Sequence, residues 1–271
     1  MALRSPVLNV MVMAAEKAGR KLVRDFGELE QLQVSIKGVG DFVSAADLKA
    51  EKILRAELSK ARPGFGFLLE EGGVVEGHDT EHRWIIDPLD GTTNFLHGIP
   101  HFAVSIALER AGEIVAGVTY NPITNELFTA EKGGGAFFND RRLRVSGRRK
   151  ADEAVLGTGI PHKGRGEHPL FVRQLQRIMN TVAGVRRMGS ASLDLAWVAA
   201  GRFDGFWESH LSPWDVAAGV LMVREAGGYV SSLDTTADPV ASGNLLASNE
   251  PLHHGLLALL REPGSTGSDK S

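Results

Sequence analysis

The sequence predicts an α/β protein, α+β in its first half, and three features of the chain carry that expectation. Apolar residues fall on helical stripes over the first sixty positions. Short apolar runs broken by Gly, Pro and Asn crowd residues 84–130, and strands alternate with helices beyond residue 151. With 271 residues and about 150 per domain, one or two compact units are expected. We set the border near residue 150: 1–150 carries helices and a mostly antiparallel sheet, 151–262 an α/β half, and 263–271 a small polar tail expected to be disordered.

Taken in order, the first helix covers residues 6–26, where Leu8, Met11, Val12, Ala15, Leu22 and Val23 share one stripe, Pro6 suits a first turn and Gly27 follows the end. Met11 reads as core and Met13 as surface. A second helix spans about 45–60, in which Ser44 and Asp47 have the spacing of a capping box with Asp in place of Glu. Residues 65–69 make a short strand, and 84–86, 102–108, 114–120 and 126–130 the strands of one sheet. Arg141, Arg142, Arg144, Arg148, Arg149 and Lys150 read as a solvated basic turn. A strand at 154–157 leads to helices at 170–179, about 192–200 and 213–226, interleaved with strands at 229–232 and 244–247.

Composition removes several function classes. Thirty basic against 33 acidic residues leave no positive excess, so a general nucleic-acid binder is not expected. The absence of cysteine excludes disulfides, cysteine-held zinc and a cysteinyl phosphate. The apolar run at 8–15 is too short to span a bilayer and meets Glu16 and Lys17. A cytoplasmic protein with no membrane partner is expected.

The chemistry concentrates in Trp84-Ile85-Ile86-Asp87-Pro88-Leu89-Asp90-Gly91-Thr92-Thr93-Asn94-Phe95. Pro88 denies the backbone a ladder donor, so the chain is expected to leave the sheet with Asp87 and Asp90 at its lip. Neighbouring carboxylates repel unless a cation sits between them, and hard oxygen ligands suit Mg²⁺ or Mn²⁺. Leu89 can add a carbonyl. Gly91-Thr92-Thr93 allows close backbone approach and, at a helix start, free N–H groups for phosphate. An Asp-Gly turn is the plainer reading. Glu70 and Glu71 lie upstream after a short strand and can supply one more ligand, or solvated surface. In Ser212-Pro213-Trp214-Asp215, Pro213 opens a helix and Asp215 sits in its first turn, as a cap or as a site residue. His97, His101 and the His253-His254 pair read as structural.

The Glu70-Glu71 pair, the run 87–95 and Trp214-Asp215-Val216-Ala217-Ala218-Gly219, in that order and spacing, resemble the inositol monophosphatase family of Mg²⁺-dependent, lithium-sensitive phosphatases. Arg186-Arg187-Met188-Gly189-Ser190-Ala191 is similar to its bacterial branch. The resemblance implies a layered αβαβα sandwich with the site between its halves, a homodimer, and two or three Mg²⁺ per site. It implies that Glu70, Asp87 and the Leu89 carbonyl hold one ion and Asp87, Asp90 and Asp215 a second, with Asp47 orienting Thr92. The Gly91 and Thr92 amides would bind phosphate, while Gly189, Ala191, Glu208 and Arg186 would face the alcohol. In-line attack by water positioned or deprotonated by Glu70 and Thr92, without a phospho-enzyme, is the expected mechanism. Fructose 1,6-bisphosphate, a nucleotide 3′-phosphate and histidinol phosphate are alternative substrates, and a partner in the transcription machinery an alternative role.

Overall fold

The computed structural model describes residues 4–28, 34–36, 42–162, 166–234 and 237–261; the expected disordered tail at 263–271 lies outside the described residues. In chain order the elements are α1 (Pro6–Phe26), β1 (Val34–Ile36), β2 (Phe42–Ser44), α2 (Ala45–Ala61), β3 (Gly66–Leu69), β4 (Gly73–Val75), β5 (His82–Asp90) and α3 (Thr92–Leu96). Then follow β6 (Ala103–Arg110), β7 (Glu113–Asn121), β8 (Glu126–Glu131), β9 (Gly135–Phe138), β10 (Arg141–Arg142) and β11 (Val155–Thr158). The rest comprises α4 (His168–Met179), β12 (Gly184–Arg186), α5 (Ala191–Ala199), β13 (Gly205–Glu208), α6 (Pro213–Glu225), β14 (Tyr229–Ser232), α7 (Pro239–Ser242), β15 (Leu245–Ser248) and α8 (Glu250–Leu260).

An eight-stranded sheet runs β10-β9-β8-β7-β6-β5-β3-β4 and a five-stranded one β12-β11-β13-β15-β14. The larger is antiparallel except where β3 runs parallel to β5. Strand alternation assigns each side chain to a layer. Trp84 and Ile86 face α1 and α2, while Ile85 between them faces α5 and α6. In the smaller sheet Phe206 and Ala247 face α5 and α6, whereas Trp207 and Leu246 face α4 and α8. The result is the expected five-layer αβαβα sandwich, with α5 and α6 in its central layer.

That central layer is close-packed because its residues are small. A Cβ on Gly117 of β7 would lie 3.0 Å from the α-carbon of Ala218, and one on Gly219 would lie 2.5 Å from the Leu195 Cβ. Ala217, Ala218 and Gly219 thus let α6 touch both β7 and α5. Met11 is buried and Met13 exposed, as their places on the first helical stripe imply.

Two expectations are corrected. The chain does not leave the sheet at Pro88: β5 continues to Asp90 and its register shifts between Asp87 and Asp90. Pro88 occupies the irregularity, where a missing donor costs no ladder bond. The basic segment is not one solvated turn either. Asn139 and Asp140, both with positive φ, make a tight hairpin, and Arg141–Arg142 return as β10 on β9. Further on, the buried Asp204 carboxylate accepts hydrogen bonds from Ser146 Oγ at 2.5 Å, Arg148 Nη1 at 3.2 Å and Val155 N at 2.7 Å. Asp47 sits in the first turn of α2, while the Ser44 side chain of the expected capping box lies outside the described residues. Among those residues, no helix is long and apolar enough to cross a membrane.

The expected structural role of His253 has a thermodynamic consequence. Its ring bridges Ser231 Oγ and Ser248 Oγ, each at 2.8 Å, and burial, with His254 and Arg261 adding, pushes its pKa from 6.5 down to about 4. Between these values the unfolded chain binds a proton that the folded chain refuses, so the contribution of His253 to stability falls as pH falls. Chemical denaturation at pH 7 and at pH 5 will show the stability advantage of wild type over His253→Gln shrinking at the lower pH.

Candidate active site

Four separate stretches of chain, one of them the end of β13 with Glu208, bring carboxylates to one cleft of about 150 Å³. Glu70 follows the last residue of β3, and its amide donates to the Ile86 carbonyl at 3.2 Å. Asp87 and Asp90 come from the irregular end of β5, and Asp215 from the first turn of α6. Of the residues expected from sequence, Glu70, Asp87, Leu89, Asp90, Gly91, Thr92, Gly189, Ala191, Glu208 and Asp215 line this cleft. Asp47 is buried, and one carboxylate oxygen from each of Asp47, Glu70 and Glu71 lies within 4.8 Å of the others. Arg186 is not among the residues that line the cleft, and its guanidinium donates to the Val185 carbonyl at 3.0 Å. The arginine that lines the cleft is its neighbour Arg187, because consecutive side chains leave a strand on opposite sides.

Each carboxylate is held by its own device. Asp87 Oδ1 accepts from the Leu89 amide at 2.9 Å, closing a turn over Pro88. Asp90 Oδ2 accepts from Ser190 Oγ at 2.6 Å, Ser192 N at 2.8 Å and Ser192 Oγ at 2.5 Å. Asp215 Oδ2 accepts from the Ser212 amide at 2.7 Å in a capping box, so the helix-cap role and a place in the cleft belong to the same side chain. The turn after Glu70 is pinned by Glu51, which accepts from the amides of Glu71 at 2.9 Å and Gly72 at 3.3 Å.

Sequence reasoning missed Glu51, Ser190 and Ser192 as supports. It also missed Asn94, whose Nδ2 donates to the carbonyls of His101 at 2.7 Å and Met188 at 2.8 Å. The signal for the serines was present in their place before α5, where hydroxyl residues cap helices and also reach outward.

The electrostatics follow from burial and crowding. Glu70 is pushed up to about 8, first by burial and then by Asp215, Glu71 and Asp90, against a hydrogen bond with Asp87. Asp87 is driven well above the carboxylate range by burial and by Glu70, Asp90, Asp215 and Asp47. Burial also raises Asp90, while hydrogen bonds from Ser190 and Ser192 hold it down. Glu70 Oε2 is buried and makes no hydrogen bond to any described residue. An all-oxygen donor set that repels itself and keeps one acceptor unmatched fits a hard divalent cation. The Leu89 carbonyl accepts from Thr92 Oγ1 at 2.9 Å and retains a second lone pair for such an ion.

Beside the carboxylates, Gly91 caps α3 in the left-handed region at φ 94°. A Cβ there would lie 3.0 Å from the His101 carbonyl and 3.2 Å from that of Gly189. Only glycine permits this approach. The amides that begin α3 have no acceptor within the helix.

Such a site suits a hydrolase that works through divalent cations and has no need of a nucleophilic side chain. The chain matches the Inositol monophosphatase family over residues 3–264. It is 64% identical over 260 residues to an inositol-1-monophosphatase of Mesorhizobium japonicum, covering 96% of this chain and 98% of that one. It is 44% identical over 260 residues to the Nus factor SuhB of Pseudomonas aeruginosa, covering 94% and 96%. Among solved structures, the extragenic suppressor protein suhB of Bartonella henselae superposes with a TM-score of 0.93 at 60% identity, covering 95% of this chain and 99% of that one. The chain belongs to the inositol monophosphatase family of metal-dependent phosphatases.

Removing the Asn94 amide leaves carbonyls of the His101 and Met188 segments without their donor. Asn94→Ala is expected to cost about 1–3 kcal/mol, read as a lowered midpoint in urea unfolding.

Proposed function

We propose that this chain is a Mg²⁺-dependent phosphomonoesterase that hydrolyses inositol monophosphates, myo-inositol 1-phosphate among them, to inositol and phosphate. The observation that carries the reading is the convergence of Glu70, Asp87, Asp90 and Asp215 on one cleft beside the start of α3. The 64% identity to a protein named inositol-1-monophosphatase supports the substrate. Glu70, Asp87, the Leu89 carbonyl, Asp90 and Asp215 would hold two or three Mg²⁺, with Mn²⁺ as a substitute. Bound there, the cations would neutralise the ester's charge, make water acidic enough to attack at neutral pH and stabilise the departing alkoxide.

The chain's own groups then do the following. Glu70, whose Oε2 is unmatched, accepts the proton of the attacking water. The Thr92 hydroxyl gives its own hydrogen to the Leu89 carbonyl, which turns its lone pairs outward to receive and orient that water. Asp47 backs Thr92 and Glu70 from the start of α2. The Gly91 and Thr92 amides bind the phosphate, while Gly189, Ala191 and Glu208 face the alcohol. Attack is in line, with no covalent phospho-enzyme. A homodimer, a cytoplasmic location and inhibition by lithium belong to this reading through the family resemblance.

The test is phosphate release from inositol 1-phosphate, fructose 1,6-bisphosphate, a nucleotide 3′-phosphate and histidinol phosphate, with and without Mg²⁺. Inositol 1-phosphate is expected to be the best of the four, with Asp87→Asn reducing release to background. No Mg²⁺-dependent release from any ester would overturn the reading. Because Ser192 holds Asp90 by two hydrogen bonds, Ser192→Ala should weaken Mg²⁺ binding about 10–100-fold, measured by calorimetric titration. The 44% identity to the Nus factor SuhB supports a second, partner-binding role. That role should survive in Asp87→Asn, which separates it from the activity.

A further inference from the structure

Among the described residues, Arg187 is the one Lys or Arg that lines the carboxylate cleft. Its guanidinium lies over the α-carbon of Gly189, in the space that a Cβ would occupy. The Glu208 carboxylate lies in the same way over Gly159. Two glycines thus give up their side-chain volume to two charged groups of opposite sign, both facing the same cleft. Behind them Asp194, buried in the first turn of α5, interacts electrostatically with both Arg187 and Glu208. Its Oδ1 makes no hydrogen bond to any described residue. None of the hydrogen bonds among the described residues occupies the donors of Arg187.

We propose that Arg187 is a specificity-determining residue, which together with Glu208 reads neighbouring hydroxyls of the leaving alcohol, and that Asp194 is a positioning residue for it. The inference rests on the phosphatase reading above and adds to it the side chains that recognise the alcohol. A guanidinium only donates and a carboxylate only accepts, whereas a hydroxyl does both. One hydroxyl of a vicinal pair can accept from Arg187 while the other donates to Glu208, which a simple alkyl or aryl alcohol cannot match. The same corner is a poor seat for a second phosphate, because the Glu208 carboxylate shares it with Arg187.

Steady-state kinetics of the full chain with Mg²⁺ on inositol 1-phosphate, phenyl phosphate and fructose 1,6-bisphosphate test this. Arg187→Gln is expected to lower kcat/KM for inositol 1-phosphate about tenfold more than for phenyl phosphate, mostly through KM. Arg187→Lys keeps the charge without the planar fork and should fall between; it carries the comparison if the glutamine variant does not fold. Asp194→Asn should raise KM for inositol 1-phosphate with a smaller change in kcat, a split that a merely structural role would not produce. Equal losses on inositol 1-phosphate and phenyl phosphate, or a larger loss on the bisphosphate, would overturn the proposal. Turnover of phenyl phosphate without turnover of inositol 1-phosphate in the wild type would overturn it too, while the phosphatase reading stands. Release from no ester would end both.

Discussion

Mutual repulsion among Glu70, Asp87, Asp90 and Asp215 is the constraint around which the polar interior is arranged. Glu70, Asp90 and Asp215 raise the pKa of Asp87, and Asp215 and Asp90 raise that of Glu70, so without restraint the carboxylates would turn apart or take up protons. The restraints come from different places. A backbone turn holds Asp87, two serine hydroxyls and an amide hold Asp90, a helix cap holds Asp215, and Glu51 fixes the turn that carries Glu70. Every one leaves part of the carboxylate facing the cleft. The repulsion therefore stays available to a cation, which relieves it on binding.

These restraints act only if the layers of the sandwich keep their spacing. Asp90 belongs to the larger sheet, and its partners Ser190 and Ser192 stand at the start of α5 in the central layer. Asn94 of α3 reaches the Met188 carbonyl just ahead of the same helix. A shift of α5 or α6 by one side-chain radius would break these bonds. Gly117, Ala218 and Gly219 prevent it by bringing backbone against backbone, where nothing can yield. The small residues after Asp215 thus serve the geometry of the carboxylates as much as the packing of the core.

Sequence reasoning located the carboxylates and the individual strands and helices because both leave local marks, whereas the layering was implied by the family resemblance. Apolar runs of two periods identify strands and helices, and acidic residues at strand ends or beside Pro and Gly stand out against a buried strand. What it missed depends on contacts between distant segments. Glu51 looks like any charged residue of a surface helix, and Ser192 like any first-turn serine, until the fold sets them against Glu71 and Asp90. Arg186 and Arg187 are adjacent and chemically alike, so only the direction in which β12 ends decides which one enters the cleft. The early strand end assigned to Pro88 failed for a related reason: a bulge can absorb a proline inside a strand, and its signature lies in the register with β6.

Both halves of the chain supply the cleft. Glu70, Asp87, Asp90 and Thr92 come from the first half, and in the proposed reaction they address the phosphate, which every ester of this kind shares. Gly159, Arg187, Gly189 and Glu208 come from the second half, and in the same proposal Arg187, Gly189 and Glu208 address the alcohol. Asp215 also comes from the second half, so the carboxylate set is complete only when the smaller sheet and α6 have docked on the larger sheet. On that proposal, substitutions at Arg187 or Glu208 would alter which ester is accepted without disturbing the other carboxylates, because these two charges sit over glycines with no side chains to rearrange. That separation follows from the order of the layers.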